Sequence, residues 1–164
     1  MCIKEFLRVS YIVSLILLFI YKANIYDFGK YNDDDILLEL DIPRINLMRK
    51  VYNINSSLNN VDKNVEILKN SNLDKNLYFL ASHSGGGNAS YFDALVYLEI
   101  GDFIWINKER EKYAFVIEEV FYIQKNGYFE VSYNKEGNNL FLITCSLKYK
   151  NKQLVIKSRL IYKC

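Results

Sequence analysis

From residue 36 to its carboxyl end the sequence keeps returning to short apolar runs of strand character, and that repetition restricts the fold more than any other feature. "ILLELDI" (36–42), "NLYFLAS" (76–82), "DFIWINK" (102–108), "YAFVIEEVFYIQ" (113–124), "LFLITC" (140–145) and "QLVIKSRLIY" (153–162) either alternate or run apolar, with many β-branched and aromatic side chains. Helical spacing is confined to two places. One is "SLNNVDKNVEILKN" (57–70), with Leu58, Val61, Val65 and Leu68 on one stripe; the other is "SYFDALVYL" (90–98), where Ser90 stands as a cap with Asp93 beside it. Six or more strands at short spacing with one or two short helices predict a mainly β domain, a small antiparallel or mixed barrel. Fourteen Tyr and ten Phe against a single Pro agree with that reading.

The amino end is different. Between Arg8 and Lys22 lie 13 uncharged residues, "VSYIVSLILLFIY", behind the charged head "MCIKEFLR". The run is short for a spanning helix, for which about 17 to 25 residues are usual, but snorkelling at its flanks and the partly apolar "ANIY" extend it. Small residues suited to a cleavage site are scarce in "FIYKANIY", so an uncleaved anchor over 9–25 is expected. Lys4 and Arg8 precede it and acidic "NDDD" follows at 32–35, which predicts residues 1–8 in the cytoplasm and the remainder outside. Polar residues 26–35 then form a linker and residues 36–164 one extracytoplasmic domain.

A net charge of +2 from 21 basic and 19 acidic residues, scattered without a basic stripe, argues against nucleic acid as a partner. The cysteines, Cys2, Cys145 and Cys164, have neither disulfide-framework nor zinc spacing, and one histidine cannot build a metal cluster; no metal or organic cofactor is expected.

Cys145 ends an apolar strand just before the polar loop "SLKYKNK", a position that is held by the sheet yet open to a groove. His83 ends its own strand in the same manner, inside "ASHSGGG". A thiol with a distant imidazole is a usual trace of acyl-transfer chemistry; taken singly, each also reads as an ordinary core or loop-entry residue. The glycines lack the lysine and hydroxyl of a phosphate loop. An oxyanion would need a donor, and the cations past Cys145 are Lys148, Lys150, Lys152 and Arg159. Arg159 lies seven residues beyond Lys152, about 23 Å along an extended strand. Lys152, with Gln153 as a neutral donor, is therefore favoured, and Lys148 and Lys150 read as surface charge.

These residues fall within segments that resemble the sortases, membrane-anchored cysteine transpeptidases of Gram-positive bacteria. "LELDIPRINL" (38–47) resembles the early strand with its Ile-Pro-basic-Ile signature, and "LASHS" (80–84) the segment bearing the catalytic histidine. "YFDALVYLEIGDFIWI" (91–106) resembles the following helix and Gly-Asp turn, and "LFLITCS" (140–146) the Thr-Leu-X-Thr-Cys strand. Order and spacing agree over about residues 36–162. Three positions depart: Ser82 replaces a frequent Gly, Phe141 the first Thr, and the arginine expected at the start of the last strand is Lys152 or Gln153.

The resemblance implies an eight-stranded barrel preceded by a transmembrane helix. It implies a Cys145 thiolate that attacks a Leu-Pro-X-Thr-Gly-like sorting signal, His83 as general acid and base, and Lys152 with Gln153 at the oxyanion, while Ser82 and Thr144 would border the substrate groove. The implied partners are secreted proteins with a carboxyl-terminal sorting motif, an amine of a cell-wall precursor or pilin, and membrane lipid around the anchor. The alternatives are a barrel that binds without catalysing and a peptidase that uses water. Some sortases bind calcium, but the carboxylates of this chain are too scattered to assign such a site.

Overall fold

The computed structural model describes residues 35–126 and 137–164; the expected anchor over 9–25, the head before it and the linker up to 34 lie outside the described residues. Among the described residues no helix is long and apolar enough to cross a membrane. Eight strands form one sheet: β1 (Ile36–Ile42), β2 (Leu47–Tyr52), β3 (Glu66–Ile67), β4 (Leu77–Ala81), β5 (Phe103–Lys108), β6 (Glu111–Gln124), β7 (Asn139–Cys145) and β8 (Lys152–Lys163). Their order is β2-β1-β5-β6-β8-β7-β4-β3. Neighbours run antiparallel except β4 and β7, which are parallel. A parallel bridge between Val51 and Val65 joins the edges, so the sheet is a nearly closed barrel.

Six of the eight strands coincide with the apolar runs of the sequence. The continuous character of "LFLITC" has a packing cause, since both faces of β7 are covered. Leu140 and Leu142 enter the interior with Leu40, Ile104, Phe115 and Ile156. Phe141 and Ile143 face the other way, with Leu77, Phe79 and Val155. The rings of Phe79 and Phe141 stack with centroids 4.8 Å apart across the parallel pair. Truncating either ring would cost about 3–5 kcal/mol.

The helix expected over 57–70 does not form; turns and the two residues of β3 occupy it. Its asparagines bond backbone groups that a helix would need. Asn59 pairs with Ile67, its Oδ1 accepting from the amide at 2.7 Å and its Nδ2 donating to the carbonyl at 3.0 Å, while Asn64 Nδ2 donates to the Leu58 carbonyl. The segment 90–98 yields only a 3-10 turn at Asp93–Tyr97, without a side-chain cap. Ser90 Oγ and the Asp93 carboxylate turn back instead onto the amides of Gly87, Gly85 and Gly86.

Candidate active site

The parallel register of β4 and β7 ends at Ala81 opposite Ile143, where β4 stops while β7 runs on beside β8 to Cys145. Three hydrogen bonds carry the pairing onward. The Ser82 amide donates to the Ile143 carbonyl at 3.3 Å, Thr144 Oγ1 donates to the Ser82 carbonyl at 2.8 Å, and Ser84 Oγ donates to the Cys145 carbonyl at 2.6 Å. Two residues past the Ala81–Ile143 pair stand His83, beyond the end of β4, and Cys145, the last residue of β7.

His83 holds its imidazole toward the loop before β3, where Nε2 lies 2.8 Å from Asp62 Oδ1. The pair is open to solvent, with side-chain exposures of 45% and 77%, which makes it an orienting contact more than a stability element. The glycines after His83 are ordered by their amides: Gly85 and Gly86 have φ of 120° and 79°, and both donate to the carboxylate of Asp93.

Cys145 is half-buried and lines a shallow, open cleft at one end of the barrel. Phe92, Tyr122, Thr144 and Leu154 border it on the interior side, and Val96 and Leu147 form an exposed apolar rim. Thr144 therefore borders the cleft, although its hydroxyl is spent on the Ser82 carbonyl. Ser82 is buried and donates to the Ala89 carbonyl. Among the described residues no three His, Cys, Asp or Glu side chains converge into a metal-ligating group.

The hairpin from β7 to β8 sets Gln153 directly across from Cys145, and on its other side Gln153 faces Ile123 of β6. Lys152 falls on the alternate face, paired with Gln124, and its ammonium sits 5.3 Å from the centroid of Tyr149. Lys148 approaches the same ring at 5.2 Å. Arg159 pairs with Asn139 at the opposite end of β7 and bonds Glu118. The cation at the sulfur is one that the sequence reading did not single out: Lys125, just past β6, donates from Nζ to Cys145 Sγ at 3.4 Å. The period-two alternation of β6 counted from Ile123 is the one sequence signal that would have found it, and only once the strand register was known.

A thiol and an imidazole at adjoining strand ends, with donors around the thiol, form an arrangement suited to covalent acyl transfer. The family model for the sortase domain matches residues 40–163. Among solved structures, sortase C of Streptococcus pneumoniae is similar at 20% identity and a TM-score of 0.68, over 81% of this chain and 73% of that one. Sortase A of Listeria monocytogenes is similar at 19% and 0.64, over 79% and 90%. A sortase D5 transpeptidase of Clostridium perfringens is similar at 18% and 0.66, over 87% and 89%. No curated protein matches the chain. With the barrel, its parallel β4–β7 pair and a family match that spans most of the domain, the chain belongs to the sortase family.

Proposed function

We propose that this sortase is a cysteine transpeptidase whose nucleophile is Cys145 and whose general acid and base is His83. The thiol proton passes to the imidazole and the thiolate adds to a peptide carbonyl in a sorting signal similar to Leu-Pro-X-Thr-Gly. The C–N bond then breaks, the leaving amine takes the proton from His83, and a thioester remains on Cys145. An incoming amine, of a cell-wall precursor or a pilin, adds to the thioester, gives its proton to His83 and expels the thiolate. The exposed rim of Val96 and Leu147 suits an apolar substrate side chain next to the reacting carbonyl. In this reading residues 9–25 anchor the protein in the membrane as a single pass and the barrel works on the outer side.

The observation that supports the reading is the parallel β4–β7 pairing, which ends at Ala81 and Ile143, two residues before the only histidine on one strand and before Cys145 on the other. The test is a trapped acyl-enzyme. The full chain in detergent, mixed with candidate sorting peptides, is expected to gain a thioester mass adduct that Cys145→Ala lacks. A folded protein that gains none with any motif overturns the proposal. Added amine separates transfer from hydrolysis, since a transpeptidase passes the acyl group to it and a peptidase releases free acid. The neutral Gln153 opposite Cys145 is what favours the rival of a barrel that binds without catalysing, and the same adduct decides against that rival.

A further inference from the structure

We infer that Lys125 is a catalytic residue of this site, the cation that stabilises first the Cys145 thiolate and then the oxyanion derived from it. The inference rests on Cys145 being the nucleophile. Its geometry comes from three adjacent strands in the order β6-β8-β7. Ile123, Gln153 and Cys145 form one cross-strand row, so their side chains share a face. Lys125 is two residues beyond Ile123 and so emerges on that same face, one step past the end of β6. Its backbone is fixed there, because the Lys125 amide donates to the Asn151 carbonyl at 2.9 Å, extending the β6–β8 pairing past Gln124 and Lys152. From that position Nζ reaches Sγ at 3.4 Å.

Charge explains why the reach matters. Gln153 is the residue facing Cys145 on β8, and an amide supplies donors but no charge. Two of the three lysines that follow Cys145 before Gln153, Lys148 and Lys152, place their ammonium groups over Tyr149. Lys125 thus brings a positive charge from the next strand to the atom where negative charge first appears. When the thiolate adds to a carbonyl, that charge moves from sulfur to the adjoining oxygen, and a compact ammonium on a flexible four-carbon stem can follow it. The role given to Lys125 is electrostatic, and the transferred proton remains the business of His83.

Two alkylating probes that differ only in charge test this on the full chain, without any peptide. Mass analysis of the Cys145 peptide separates its alkylation from that of Cys2 and Cys164. A cation beside the sulfur favours anionic iodoacetate over neutral iodoacetamide, so Lys125→Met is expected to lower that rate ratio severalfold, whereas Lys125→Arg retains it. With an acylating peptide and an amine, transfer by Lys125→Met is expected to fall about 100-fold, and to recover in part in Lys125→Arg and in the double variant Lys125→Met with Gln153→Arg. An unchanged ratio in a Lys125→Met protein that melts like the parent overturns the inference. So does a lowered ratio with undiminished transfer, which would reduce the contact to a surface pair. If no peptide acylates the parent, the proposed function fails, while the alkylation ratio still decides whether Lys125 acts on the thiol.

Discussion

The two flanks of Cys145 are assembled by different rules. On the β4 flank the pairing is parallel, and past the end of β4 the residues Ser82 and Ser84 on either side of His83 stay bonded to Thr144 and Cys145 of β7. On the β8 flank an antiparallel hairpin sets the register, and the residue that reaches the sulfur follows the end of β6, one strand further away and 20 residues earlier in the chain. In the proposed mechanism the first flank delivers the proton carrier and the second delivers charge. Nearness in sequence is informative on neither side, but strand ends mark the first, whereas the second depends on a register that no local segment encodes.

Removing the proposed proton carrier is the hardest blow to this arrangement. His83→Ala is expected to lower the transfer rate about 10²- to 10⁴-fold with little change in melting temperature, measured by amine-dependent release of product. The next largest effect falls on the fold of the parallel flank. Gly137 has φ of 95°, and a Cβ there would lie 1.9 Å from the Lys75 carbonyl oxygen, close to where Asn138 bonds the same carbonyl at 2.7 Å. Gly137→Ala is therefore expected to cost about 3 kcal/mol of stability, read by denaturant unfolding, because it pushes the start of β7 away from the start of β4.

Asp62→Asn weakens only the orientation of the imidazole. Because the pair is exposed, transfer is expected to fall no more than about fivefold, in kcat more than in KM, and a larger loss would mean that Asp62 contributes more than alignment. The smallest effect lies at the far end of β6. Hydrogen bonds from Tyr113 and Lys163 hold the Glu111 carboxyl below its ordinary range. A carboxyl lowered on folding stabilises the protein above its unfolded value, and this contribution is lost as pH falls through the lowered one. Glu111→Gln is expected to melt slightly below the parent at neutral pH, with the difference closing in acid and transfer unchanged, which marks that end as separate from the site.

Much of the fold is legible in the sequence. β1 and β4 through β8 follow from apolar runs, and His83 and Cys145 stand out as chemistry-bearing side chains at strand ends. The segment 57–70 was not, because a helical stripe of Leu58, Val61, Val65 and Leu68 is outweighed by asparagine side chains that bond the backbone locally. β2 and β3 lack a clear periodic signal, being edge strands of six and two residues. Lys125 was hidden for another reason. Its role depends on a hairpin register that sends Lys152 to Tyr149 and turns Gln153 toward Cys145, and a shift of one residue would exchange the two.

The position of β8 bears on how such a site holds together. It follows β7 in sequence, yet it lies between β6 and β7 in the sheet. Gln153 faces Cys145 on one side and Ile123, two residues before Lys125, on the other. Strand β8 is thus the splint between the two flanks, and a change that loosens its pairing would part the thiol from its charged neighbour without altering either residue.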